Sequence, residues 1–318
     1  MITIGFSAHR IETLPSAFQE MRQHDVIVLE EPPSHYFMPM VRGHLSVEDY
    51  MLETDLGFPE FEKRMCHLLR RLHERGKEIL QVEPYLERLL EIHDRFSEGN
   101  TPEDVMNAPY LREVYMAEKH ATSSLIAYYT AIARSAFPEV VDTVKAFAHA
   151  DALRITLRAQ MRSSAIASLP ISDKTVYIES GYIHYMLYRL LCQKIDHARR
   201  IRSVFLLSPV IKRLGGKRRN MSPGDLLTLH YAFHNQLADD TENLLAARNL
   251  VYIKLIQKQE ILPGLSETPH TEDDIKVNHL VDLLSFQECH EVFEHIRLKK
   301  QSNAMKFVEN YIMQKMPY

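Results

Sequence analysis

The chain has 318 residues, 45% of them hydrophobic and 25% charged, with a net charge of −4. These ordinary globular values exclude a disordered chain, and no basic excess points to nucleic acid or an anionic membrane. With only 10 glycines and 3 cysteines (Cys66, Cys192 and Cys289), the composition argues against a Gly-rich barrel or sandwich, and against a disulfide framework or a CxxC zinc site.

No secretory signal is expected, because the N-terminus lacks a basic segment followed by roughly 7–15 apolar residues. No apolar run reaches the roughly 18 residues of a membrane helix. Together with free cysteines this gives the expectation of a soluble cytoplasmic protein.

In chain order, Ile2–Phe6 reads as a strand and Leu14–Gln23 as a helix, with Thr13 as its N-cap and Pro15 in its first turn. Val26–Leu29 is fully apolar, as in a buried parallel strand, and Pro32-Pro33 ends it. Phe61–Arg75 reads as a helix closed by Gly76, and Glu78–Val82 as a third strand. This β-α-β-α-β order is the signature of a parallel sheet with right-handed crossovers. Helices follow over Tyr85–Phe96, Tyr110–Arg134 and Glu139–Ser168. The sheet resumes at Thr175–Ile178, then comes a helix over Tyr182–Ile195 and a strand over Ser203–Leu207. The remainder reads as helices over Asp225–His234, Thr241–Glu260, Thr271–Leu284 and Gln287–Lys315, and no repeat of fixed period occurs. The expectation is an α/β fold with a mostly parallel sheet flanked by helices. Its core domain would span 1–220 with a helical insertion at about 85–168, and a helical C-terminal module would span 221–318.

In open parallel sheets, sites form at the carboxyl ends of the strands. Here the first strand is followed by Ser7-Ala8-His9 and then Glu12, the second by Glu30 and Glu31, the third by Glu83, and the fourth by Glu179, Gly181 and His184. Imidazoles and carboxylates on one rim can bind a divalent metal or make a histidine a general base on water. The bland alternative is that such acids cap the following helices.

Two of these segments form a pattern. Gly5-Phe-Ser-Ala-His9-Arg-Ile-Glu12 is GxxxHxxE after the first strand, Asp25-Val-Ile-Val-Leu-Glu30 ends the second, and Gly181-Tyr-Ile-His184 is GxxH opening a late helix. The order resembles the erythromycin esterase / TraB / Tiki / ChaN superfamily over residues 1–31 and about 158–190. That resemblance also singles out Arg162, in Gln160-Met-Arg-Ser-Ser-Ala165, as the family's arginine on the long helix. It implies hydrolysis by activated water or metal-dependent peptide cleavage in some branches, and haem-iron in the ChaN branch. Where the esterases carry a Glu after the first Gly, this chain has Phe6.

Arg154, Arg158 and Arg162 lie at i, i+4 and i+8, one stripe on a helix. They could clamp a substrate anion or pair with the protein's own Glu30, Glu31 or Glu83. His230 and His234 have metal-compatible i, i+4 spacing, whereas His290 and His295 are five apart, about 140° round a helix, and cannot share a face. Lys212, Arg213, Lys217, Arg218 and Arg219 surround Gly215-Gly216 and read as a solvated loop or a lid for an anionic substrate.

The resulting expectation is a hydrolase in which His9, Glu30, Arg162 and His184 carry catalysis, and Glu12, Glu31, Glu83 and Arg158 bind substrate. A divalent ion (manganese, cobalt or zinc) would sit on His9, Glu30 and His184 if the chemistry needs one. The substrate would be a small molecule or peptide, with no nucleic acid and no membrane, and a homo-oligomer is left open. The alternative is a non-catalytic binding protein for a metal, haem or small anionic ligand on the same rim.

Overall fold

A computed structural model describes residues 1–53, 57–171, 173–195, 200–217, 219–234 and 237–315. The first part of the chain runs β1 (Ile2–Ser7), α1 (Leu14–Met21), β2 (Val26–Leu29), α2 (Phe37–Val41), α3 (Val47–Leu52), α4 (Pro59–Glu74) and β3 (Glu78–Gln81). The helices α5 (Pro84–Ser97), α6 (Pro102–Met106), α7 (Pro109–Arg134) and α8 (Phe137–Ala167) follow. Then come β4 (Val176–Gly181), α9 (Met186–Lys194), β5 (Ile201–Phe205) and α10 (Ser208–Arg213). The chain closes with α11 (Pro223–Ala232), α12 (Asp239–Leu255), α13 (Pro269–Asp282), α14 (Phe286–Ile296) and α15 (Gln301–Lys315). No described helix is long and apolar enough to cross a membrane.

The five strands form one sheet in the order β3-β2-β4-β1-β5, and every pairing is parallel. The expected α/β fold with a parallel sheet, flanking helices and a helical C-terminal region is therefore present. Side-chain alternation explains the layers. Ile27, Leu29 and Tyr177 point to one face, where α1 to α4 cover them with Leu14, Met21, Phe37, Met40, Val47, Phe61 and Leu69. Val26, Val28, Val176 and Ile178 point to the other, under Ile166, Leu187 and Leu191. A strand buried on both faces must read as a continuous apolar run, as Val26–Leu29 does.

Gly5 has a steric reason. The Tyr177 side chain crosses β1 there, and a Cβ at Gly5 would lie 2.1 Å from its hydroxyl. Phe6 packs with Phe205 and Tyr185 at centroid distances of 5.0 and 5.1 Å, so the position that departs from the esterase pattern is filled by core aromatics.

Two compact units emerge, one of Met1–Tyr115, Thr156–Arg213 and Gln259–His270, the other of Met116–Ile155, Leu214–Lys258 and Thr271–Tyr318. This differs from the expected split at 220. The boundaries fall inside α7 and α8, helices of 26 and 31 residues, so the larger part of each groups with the C-terminal helices. Composition does not change along a continuous helix, so it could not reveal such a boundary. In the second unit α12 packs against α11, α14 and α15, His149 stacks on Tyr231, and Phe137 packs on Phe286 and Phe293.

Other local differences have plain causes. β5 begins two residues earlier than the apolar run suggests, because Ile201–Phe205 is what registers with Ile2–Phe6. Leu206 instead turns into the core under α1 to α4. The expected single helix 287–315 is two, with Arg297, Lys299 and Lys300 in the break. Thr13 stands at the start of α1 without capping it, since its hydroxyl donates to the Arg10 carbonyl at 2.6 Å.

Candidate active site

All the site residues below belong to the first unit. The parallel register sends every strand end to the same edge of the sheet, and the side chains there form two layers.

The inner layer is built on Glu30, one residue beyond β2. Its Oε1 accepts from Arg162 Nη1 at 2.8 Å, and its Oε2 accepts the backbone N–H of Gly181 at 2.5 Å. Arg162 is 1% exposed. Its other nitrogens donate to the carbonyls of Val82 at 2.9 Å and Glu179 at 2.7 Å, so one guanidinium ties together the ends of β2, β3 and β4. One turn earlier on α8, Arg158 lies 3.2 Å from Glu83 Oε2 and 3.8 Å from Glu30 Oε1. His184, in the short turn after β4, shares this layer. A Cβ at Gly181 would come within 3.3 Å of its ring and 3.4 Å of Glu30 Oε2, so the glycine of the GxxH segment lets both side chains pack tightly against the backbone. Burial alone would raise the Glu30 carboxyl. Arg162, His184, Arg158 and His9 overcome it and hold the group down to about 2. Glu83, with burial outweighing its arginines, is raised.

The outer layer behaves oppositely. His9 sits in the left-handed region at φ 50°, its backbone N–H fixed by the Ser7 hydroxyl at 2.9 Å. Its Nε2 is 3.9 Å from Glu179 Oε1, and 42% of the side chain is exposed. Burial in the rim, opposed by Glu30 and Glu31 and aided by Arg158 and Arg162, lowers the imidazole below its ordinary value. Burial and the charge of Glu30 push Glu179 up to about 7. Burial and Glu179 likewise push Glu31 up to about 7, although Gln81 donates to it at 2.9 Å. Glu62, from the first turn of α4, is pushed up to about 8 by burial and by Glu31, Glu179 and Glu260. A neutral imidazole beside carboxyls that titrate near neutrality is an acid–base constellation.

A cavity of about 550 Å³ opens beside this layer, lined by Glu31, Tyr50, Glu62, Cys66 and Gln81 and walled by the loop 32–36. The loop is pinned by the Ser34 N–H on Gln81 Oε1 at 3.0 Å. Arg70 of α4 donates to the carbonyls of Met40 and Leu45, tying α2 and the turn after it to α4.

The structure thus brings together His9, Glu30, Glu31, Glu83, Arg158, Arg162 and His184. Two expected roles change. Arg162 is expected from the sequence to carry catalysis, its stripe either clamping a substrate anion or pairing with the protein's own acids. It presents no free fork, because each of its nitrogens has a partner inside the protein, and it acts as a positioning residue. Glu12 is set apart from the rim, since its Oε1 accepts the His270 N–H at 2.8 Å. Arg154, also on the stripe, pairs with Asp151 at 2.6 Å and Glu118 at 3.5 Å. His230 and His234 do not share a helical face, because α11 ends at Ala232 and His234 turns to φ 53°. Lys217 of the basic loop pairs with Asp282, and Arg218 lies outside the described residues.

Sequence reading missed Glu62, Tyr50 and Gln81. Their helices and strand approach the rim only through tertiary packing, and a lone Glu in a helix N-terminal turn reads as a dipole partner.

For a divalent ion, His9, Glu30 and His184 fit poorly. Both Glu30 oxygens already accept short hydrogen bonds, and two guanidiniums supply the positive charge a metal would bring. Among the described residues no group of three His, Cys, Asp or Glu side chains is placed to hold a metal ion.

No family description matches the chain, and no solved structure matches it. A curated protein of Archaeoglobus fulgidus, described as uncharacterized, is 32% identical over 291 residues, which cover 91% of this chain and 97% of that protein. At that identity and coverage, this chain belongs to the same family as the uncharacterized archaeal protein.

Proposed function

We propose that the protein is a hydrolase of the erythromycin esterase / TraB / Tiki / ChaN-like kind that activates water without a metal. The observation that carries this is the His9–Glu179 pair. A half-exposed imidazole with a lowered pKa stands 3.9 Å from a carboxyl poised at about 7, at the open end of a parallel sheet and beside a cavity. His9 Nε2 takes a proton from water as its oxygen attacks the ester or amide carbonyl carbon. The protonated Glu179 carboxyl gives its proton to the departing oxygen or nitrogen as the acyl bond breaks. Proton return from His9 to Glu179 restores both groups. Glu30, held ionised by Arg162, anchors the Gly181 turn behind this pair, so the inner layer positions and the outer layer reacts.

The test is turnover of a panel of esters and peptides by the wild type and by His9→Asn, which tolerates the positive φ. Expected is hydrolysis that falls by about 10²–10⁴-fold in the variant and survives EDTA dialysis. Loss on EDTA and return with manganese, cobalt or zinc would replace this mechanism with a metal one. A wild type that binds small ligands at the rim but turns over none of the panel would make the protein a binding protein.

A further inference from the structure

The cavity beside the rim has a chemical character that the hydrolytic reading leaves unused. Glu31 and Glu62 face it, and Glu53 stands at the end of α3 on its edge. Nearby cations are occupied elsewhere: Lys63 pairs with Glu48 at 2.9 Å and Arg64 with Glu60 at 2.6 Å. Among the described lining residues the basic side chain is the exposed His35. The Glu62 carboxylate has neither a cation nor a hydrogen-bond donor among the described residues.

A second observation is independent of the acids. Tyr50 lines the same cavity and is 8% exposed, and its hydroxyl has no hydrogen-bond partner among the described residues. It is held there by α3, whose Ser46 cap accepts the Asp49 N–H at 2.9 Å, and by Phe37, whose ring meets it edge-on at 6.3 Å. An acceptor-capable hydroxyl, an aromatic face and carboxyls without cations, which a bound cation would hold ionised, describe a receptor for a compact organic cation.

We propose that this cavity is the specificity pocket of the enzyme and that it takes an alkylammonium group of the substrate, held by Glu62, Glu31 and Tyr50. The proposal rests on the hydrolytic reading of the rim and names its substrate class: esters or amides that carry a protonated amine near the scissile bond. The Glu31 side chain, shared between the rim and the cavity, sets the distance from the ammonium to the reacting carbonyl.

Two measurements test it, and they fail separately. In the first, butylammonium and its neutral counterpart butanol are titrated into the intact protein and followed by calorimetry and chemical-shift changes. The ammonium ion is expected to bind at least tenfold more tightly, and Glu62→Gln to weaken it at least tenfold. If Glu62→Gln does not fold, Glu53→Gln, at the exposed edge, should weaken it about threefold. Equal binding of ion and alcohol, or ammonium binding that the folded variant leaves unchanged, overturns the pocket assignment whatever the rim does. In the second, kcat/KM is compared for matched esters that differ only in a terminal ammonium or methyl group. Expected is at least a tenfold preference for the ammonium ester that Glu62→Gln reduces to within about twofold. Equal kcat/KM for the pair overturns the proposal. If neither ester is hydrolysed while butylammonium still binds, the hydrolytic reading falls and the cation pocket stands.

Discussion

Glu30 and Glu31 are consecutive residues at the end of one strand, yet one carboxyl is held down to about 2 and the other pushed up to about 7. Both are buried. The difference is the company each side chain meets when adjacent residues turn to opposite sides of the chain. Glu30 meets two arginines and a backbone N–H; Glu31 meets an amide and other carboxylates. Glu30 and Arg162 thus form a charged, hydrogen-bonded clamp across three strand ends. The outer layer is a set of groups that exchange protons near neutral pH. A site with this division can keep its geometry fixed while its protons move.

The largest expected effect comes from breaking the clamp. Arg162→Met leaves Glu30 ionised and buried without its main partner, and should destabilise the protein by about 3–5 kcal/mol in urea denaturation. Adding Glu30→Gln should recover part of that loss. Arg162→Lys keeps the charge but cannot reach Val82, Glu30 and Glu179 at once, so it should fall between the two. A wild-type-like Arg162→Met would mean that the layer is not a clamp.

The two layers should also oppose each other in pH dependence. Glu30 is depressed from 4.5, so its stabilisation is present above about pH 4.5 and is lost as the pH falls towards 2. Glu31, Glu179 and Glu62 are raised from 4.5 to about 7, 7 and 8, so the folded protein holds protons that the unfolded chain has released. Their effect is that stability declines as the pH rises from about 4.5 to 8. Denaturation at pH 5 and pH 8 should show this decline, and Glu62→Gln should reduce it by up to about 3 kcal/mol. A variant with an undiminished decline would place the titrating groups elsewhere.

The smallest effect is expected at Glu12. Removing its hydrogen bond to the His270 N–H in Glu12→Ala should cost about 1 kcal/mol of stability. It should leave turnover unchanged, since the side chain belongs to neither layer. Reduced turnover in a fully folded variant would return Glu12 to the rim.

Much of this arrangement was legible in the residues themselves. Four apolar runs, each followed by an acid or histidine, pointed to the parallel sheet and to the edge where those groups converge, because strand direction alone decides where those ends meet. Stripe spacing placed Arg154, Arg158 and Arg162 on one helix face, but not what each would meet. Asp151, the partner of Arg154, is near it in sequence, whereas Glu30 lies 132 residues from Arg162. The split between Glu30 and Glu31 was visible only as an alternation, and its size comes from groups on α8, β4 and α4. Glu62 and Tyr50 carried no local signal at all. Their pairing with the rim is a product of how α3 and α4 pack on the sheet, and no spacing rule in the chain encodes it.

The most direct test of the two-layer account needs no substrate. With side-chain carboxyl carbons labelled and assigned, each glutamate can be titrated by NMR between pH 3 and pH 9. The account predicts that Glu30 remains ionised at pH 4, that Glu31 and Glu179 titrate near 7, and that His9 is neutral at pH 7. Titration of all three carboxyls near the ordinary 4.5, with His9 charged at pH 7, would contradict it.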